Sequence, residues 1–353
     1  MAIRRGTERQ DSLIGTSGAD ELYALGGNDR IYAQGGDDRL FGGTGNDGLY
    51  ASTGNDVVYG GDGIDALFGE TGNDLLFGES GDDYLMGNTG DDTIYGGLGN
   101  DRLRGNEGND ALFGEQGNDD LQGGTGLNNL YGGDGDDTLH LVDRPVAGVP
   151  VARNGTFDGG TGYDVMSVDV RGAFRDPVWT DETFNYVEIY QYADGTGSVL
   201  YTTGPEEGSP IGEGSHSGIE EFRLVAESNA LIFFGGADAK VTGGNNADQL
   251  EGFTGSQDFT GGSGDDDFLF LFRPGQNSGN DVIRDFSLIQ GDDIRFNTLV
   301  ENDTTPDPFS VAVTEIGGNT VYSVTEIETG ATAGTVTVLG AVGLPMPDYY
   351  LIT

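Results

Sequence analysis

The chain has 353 residues, 60 acidic and 16 basic side chains, a net charge of −44, 65 glycines and no cysteine. That balance excludes a nucleic-acid partner, since phosphate binding needs clustered Lys and Arg and Lys240 is the single lysine. Disulfides and cysteine nucleophiles are excluded outright, and no segment approaches the roughly eighteen apolar residues that span a membrane.

Residues 1–13 are polar and carry Arg4, Arg5 and Arg9. They show no apolar run of the kind a secretory signal peptide needs, and they read as an N-terminal cap. From Gly15 to His140 the chain repeats every nine residues through fourteen units without insertion or deletion. The fourth place is always Gly and the eighth always aliphatic, from Leu22 and Ile31 to Leu139. The sixth place is aspartate in thirteen units: Asp20, Asp29, Asp38, Asp47, Asp56, Asp65, Asp74, Asp83, Asp92, Asp101, Asp110, Asp119 and Asp137, with Asn128 the exception. Columns this strict mark each unit as a structural rung, because a disordered acidic tract would not keep an apolar residue at every eighth place.

Each column has a physical reading. Gly permits a tight turn whose carbonyl oxygens converge, and Asp adds an anionic oxygen to the same turn. Carbonyls with carboxylates, and no His or Cys, form a hard-oxygen set suited to Ca²⁺ rather than zinc or copper. The aliphatic residue at place eight predicts a three-residue strand with one side chain pointing inward. One unit buries too little to stand alone. Two units per coil give two facing parallel sheets with the aliphatics between them.

Stretches such as Gly42-Gly43-Thr44-Gly45-Asn46-Asp47-Gly48-Leu49-Tyr50 and Gly96-Gly97-Leu98-Gly99-Asn100-Asp101-Arg102-Leu103-Arg104 resemble the RTX (haemolysin-type) calcium-binding nonapeptide. The resemblance implies a parallel β-roll with ions between the turns of successive coils, each sharing aspartates from units two apart. It also implies export of the unfolded chain by type I secretion machinery, through a C-terminal signal, and folding outside the cell. Composition agrees. Residues 15–140 hold 25 acidic and four basic side chains, a net of −21 that about a dozen Ca²⁺ ions would offset. Rows of carboxylates repel one another without metal, so binding and folding are expected to be one event.

Past Leu139 the period stops, and residues 141–158, with Pro145 and Pro150, read as a linker or cap. A lone unit returns at Gly159-Gly160-Thr161-Gly162 with Asp164 at its sixth place, opening an irregular β segment over 159–233. A second, degenerate roll is expected over 234–269, with Asp248 and Asp266 as ligands but Asn246 and Gln257 breaking the pattern. Residues 270–353 read as a C-terminal β and secretion domain. Within them Asn280, Asp281, Asp285, Asp292 and Asp293 are either further ligands or turn residues. Val311–Leu339 alternates as a closing β-sheet, and Asp348-Tyr349-Tyr350-Leu351-Ile352 resembles the end of a type I export signal.

At the ninth place, predicted to face outward, odd-numbered units carry Tyr23, Phe41, Tyr59, Phe77, Tyr95, Phe113 and Tyr131. On the other face Tyr32, Tyr50 and Phe68 give way to Met86, Arg104, Gln122 and His140. A ladder of rings about 4.8 Å apart has two readings. It stabilises by stacking, or it docks a partner: the chain's own residues 167–353, a second copy, or the pyranose faces of a polysaccharide.

Enzyme signatures are absent. There is no H-E-x-x-H among two histidines, and Gly214-Ser215-His216-Ser217-Gly218 puts His where a G-x-S-x-G elbow needs Ser. A carboxylate pair drawn from Asp181, Glu188 and Glu220, near Trp179, is the remaining catalytic option. The sequence thus predicts an all-β, secreted, non-catalytic calcium protein with a structural, matrix, surface-layer or adhesive role. A polysaccharide-binding module, like those beside alginate-modifying enzymes, or a polysaccharide-acting enzyme is the alternative.

Overall fold

A computed structural model describes residues 2–142, 155–169, 185–191, 197–203, 212–217, 219, 221–224, 231–234, 238–245, 248–252, 255–264, 266–272, 280–287, 292–299, 309–327, 329–341, 344 and 348–352. Every regular element among them is a β-strand. The chain forms two compact units, Met1–Ser167 with Gly214–Ile219, and Val168–Glu213 with Glu220–Thr353.

The first unit is a β-roll. In one sheet Glu21–Gly26, Arg39–Thr44, Val57–Asp62, Leu75–Ser80, Thr93–Leu98, Ala111–Gln116 and Asn129–Asp134 pair in parallel, each strand eighteen residues from the next, as in Leu22↔Leu40 and Leu40↔Val58. The other sheet holds Arg30–Tyr32, Gly48–Thr53, Ala66–Thr71, Tyr84–Thr89, Arg102–Glu107, Asp120–Thr125 and Thr138–Val142 in the same way. Place-eight side chains from Leu22 to Leu139 are fully buried between the sheets. Each contributes roughly 1.5–3 kcal/mol.

Most strands are six residues long, not the three expected, because pairing resumes past the corner, as in Gly43↔Gly61 and Thr44↔Asp62. The register skips place one, and pairing resumes at place two. At place two the backbone takes positive φ from Leu25 (84°) to Gly133 (121°).

The roll is also longer than its strict repeat. Ile3–Arg5 pairs with Glu21–Tyr23 and Ser12–Ile14 with Arg30–Tyr32, so residues predicted to be a cap supply the first strand of each sheet. At the other end Thr156–Thr161 pairs with Asn129–Asp134 at an offset of twenty-seven residues, Asn129↔Thr156. The unit at Gly159 is therefore stacked on the roll and does not begin a separate segment. Ser215–Ser217 pairs beyond it.

The second unit carries its own parallel stack. Leu231–Phe234, Gln249–Gly252, Asp267–Phe272, Asp293–Leu299 and Asp348–Ile352 pair in order. So do Glu221–Leu224, Ala239–Thr242, Gln257–Thr260, Asn280–Ile283 and Thr332–Val338. The stack therefore passes the expected boundary at 269, and the tail likened to an export signal forms a strand. Phe309–Ile316, Asn319–Glu326 and Thr332–Val338 form the antiparallel sheet that alternation predicted. Its core is aromatic, with Phe259, Phe270, Phe296 and Tyr322 meeting edge to face at 5.6–5.8 Å.

Candidate metal centre

The turns owe their shape to places four and six. Gly45, Gly54, Gly63 and Gly72 hold φ of 114–141°, and a Cβ on Gly63 would run into the carbonyl oxygen of Gly45 in the preceding turn. Only glycine fits there. The chain then reaches the place-six aspartate, whose side chain folds back under the turn and is 1–4% exposed from Asp20 to Asp137.

Each carboxylate is half satisfied. Asp65 Oδ1 accepts the N–H of Asp47 at 2.7 Å, Asp83 Oδ1 that of Asp65 at 2.7 Å, and Asp92 Oδ1 that of Asp74 at 2.8 Å, the ladder continuing to Asp137, which donates to Asp164. Oδ2 of all twelve place-six aspartates from Asp29 to Asp137 is buried with no hydrogen-bond partner. Where place one is glycine it faces a cradle bare of side chain: a Cβ on Gly60 would lie 2.6 Å from Asp65 Oδ2 and 2.8 Å from the Gly78 carbonyl oxygen. Buried anionic oxygen without a donor is costly, and here it sits against carbonyls that cannot donate. Among the described residues no three His, Cys, Asp or Glu side chains converge, so a cation would draw most of its ligands from backbone oxygens. That donor set fits Ca²⁺.

The charge supports the same reading. Set by the protein's own groups, burial pushes the carboxyls of Asp65, Asp74, Asp92, Asp101, Asp110 and Asp137 up to about 7. It pushes those of Asp38, Asp47, Asp56, Asp83 and Asp119 up to about 6. The N–H from the rung before pulls each one down, and nearby carboxylates add to the rise. A divalent ion bound there would offset that cost.

A second ladder, on the surface, runs in the opposite sense at place five. Asn28 Oδ1 accepts from Asn46 N at 3.0 Å, Asn46 Oδ1 from Ile64 N at 3.1 Å and Asn55 Oδ1 from Asn73 N at 2.8 Å. Sequence reasoning gave this place no role. It also missed Asp11, whose N–H donates to Asp29 Oδ1 at 2.6 Å. The signal was there: Asp11 stands nine residues before Asp20, with Leu13 at place eight, but Arg9 replaces the glycine.

In the second unit the residues left open between ligand and turn roles separate. Asp281 and Asp292 are 1% and 4% exposed and occupy the place-six role, accepting from Gln257 N at 2.9 Å and Asp266 N at 3.2 Å. Asp248 N likewise donates to Asp266 Oδ1. Asp285 instead accepts the N–H groups of Gly261 and Gly262 at 2.8 Å each, and Asp293 pairs with Arg295. Asn280 accepts from Thr335. Asp181, Trp179 and Glu220 lie outside the described residues, and Glu188 is described only as part of the strand Asn185–Gln191.

The ninth-place rings form a continuous stack. Successive centroids from Tyr23 to Tyr131 are 4.6–5.1 Å apart and within 9° of parallel, and Arg5 covers the first ring at 5.0 Å. Ring faces are taken up by neighbouring rings, so solvent meets ring edges. On the other sheet Tyr32, Tyr50 and Phe68 stack, and an ion-pair group then takes over. Asp120 accepts from Arg104 and His140 at 2.9 Å each. Burial opposes its ionisation, but those two partners hold its carboxyl well below the usual range.

A roll of parallel strands whose turns gather carboxylate and carbonyl oxygens in two columns has the architecture and donor set of a calcium-binding repeat protein. Residues 5–141 match the RTX calcium-binding nonapeptide repeat in eight overlapping segments. That part of the chain belongs to the RTX repeat family. A search of curated proteins gives no match. Among solved structures, the crystal structure of the extracellular lipase LipA from Serratia marcescens is similar at 16% identity, covering 75% of this chain and 38% of that one, with a TM-score of 0.19. The chain thus spans well under half of that protein, and a likeness at this level carries no functional argument.

Proposed function

We propose that this calcium-binding β-roll is a secreted, non-catalytic structural component that folds when it meets calcium outside the cell and then serves a matrix, surface-layer or adhesive role. The observation that carries the calcium step is the set of twelve buried aspartate oxygens without a donor, set against backbone carbonyls in turns such as those of Asp47, Asp65, Asp83 and Asp101. Export by type I machinery is part of the proposal, since a chain that cannot close without calcium stays threadable in a calcium-poor cytoplasm. The parallel stacking of ring faces removes the surface on which pyranose rings would lie, so self-association is the partner reading carried forward. A calcium titration followed by circular dichroism and light scattering tests the whole. β content and then particle size should rise with calcium. Full β content in excess chelator would refute the calcium step, and folding without any growth in size would refute the structural role.

A further inference from the structure

The turns at Asp11, Asp20 and Asn128 are built differently from those between them. From Leu25 onward each place-two residue holds positive φ whether or not it is glycine, Glu79 and Glu115 included. Thr16, and Thr7 one unit earlier, do not; both are β-branched and resist that conformation. The difference reaches the carboxylate. Thr16 donates its N–H (2.6 Å) and its hydroxyl (2.8 Å) to Asp20 Oδ2, and Thr7 does the same for Asp11 Oδ2 at 2.6 and 2.7 Å. The oxygen that lacks a partner in the interior turns is doubly bonded to donors in these two.

At the far end of the column that begins with Asp20, the aspartate itself is replaced. Asn128 Oδ1 keeps its place in the ladder, accepting from Asp110 N at 2.9 Å. Its Nδ2 donates to the carbonyl of Gly124 at 3.2 Å and lies against Gly123, so a neutral donor stands where the interior turns carry an unpartnered Oδ2. The roll's twenty-seven-residue offset sets Gly155 over Asn128, with no carboxylate to share an ion.

We infer that Asp11, Asp20 and Asn128 are closed rungs that take no calcium, so that side-chain hydrogen bonds cap the ion columns. This rests on the calcium reading above. The gap past Asn128 has a repeat turn on one side only and would hold an ion weakly. A buried carboxylate left with neither ion nor donor would destabilise the fold; donors from Thr7 and Thr16, or an amide in the carboxylate's place at Asn128, avoid this.

The test is an ion count on the full chain by native mass spectrometry in calcium, with thermal melts alongside. Thr16→Gly removes the hydroxyl donor and the β-branch that hold the turn at Asp20 closed and should bind one ion more than wild type. Thr16→Val keeps the β-branch but loses the hydroxyl; it should keep the wild-type count and melt a few degrees lower. Asn128→Asp should gain no ion and also melt lower. An unchanged count in Thr16→Gly, or an added ion in Asn128→Asp, overturns the inference. A wild-type chain that binds no calcium overturns the calcium reading itself.

Discussion

At the scale of single residues, the roll divides into places where chemistry is dictated and places where only backbone geometry is. Leu76 is wholly buried between the sheets, and Leu76→Ala should cost roughly 2–5 kcal/mol, read from denaturant unfolding in saturating calcium. Asp74→Ala removes one carboxylate from the middle of a column. The chain should bind one ion fewer and fold at a several-fold higher calcium concentration; an unchanged ion count would mean that Oδ2 is not a ligand. The first kind of place was legible in the sequence, since burial and ligation each admit few residue types. Place two was not, because Leu25, Gln34, Glu70 and Glu79 all adopt the same left-handed backbone there. A conformation imposed by the neighbouring coils leaves no mark on composition. Asp11 was hidden because Arg9 stands where every later unit of the roll has glycine.

At the scale of elements, the aromatic ladder is a packing device before it is anything else. Replacing Tyr59, Phe77 and Tyr95 by Ser removes four stacked contacts, from Phe41 to Phe113. Each is worth about 0.5–1.5 kcal/mol, so thermal melts in calcium should show about 2–6 kcal/mol of lost stability. A triple variant as stable as wild type would show that the rings are kept for a partner instead. The same scale explains what the sequence concealed in the second unit. There the pairing offset is eighteen residues for Ala239↔Gln257 but twenty-four for Asp258↔Val282 and twenty-six for Asp267↔Asp293. Strands and aspartates keep their roles while connections lengthen. Asp281 and Asp292 could be seen as acidic residues, yet no fixed period pointed to their rungs.

At the scale of the whole molecule, a net charge of −44 makes folding a matter of what neutralises it. The interior carboxyls are raised by burial from the ordinary 3.8 to about 6 or about 7. A group raised in the folded state stabilises it at low pH, where it is neutral in both states, and that contribution is lost as pH climbs through the raised value. In chelator the roll should therefore be most ordered near about pH 4 and lose β structure by about pH 7–8. With calcium the order reverses: the ion holds the roll at neutral pH, and acid displaces it. Circular dichroism across pH, with and without calcium, checks this, and a chelated chain best ordered at alkaline pH would contradict it. The two side-chain ladders add a consequence for growth. Amides at place six point to the rung ahead and those at place five to the rung behind, so the polarity of one row offsets that of its neighbour. In an α-helix aligned peptide dipoles add up along the axis and collect at the tips. Here extra coils inserted by duplication would bring no such accumulation, which leaves the length of this filament-like core free to drift over evolution.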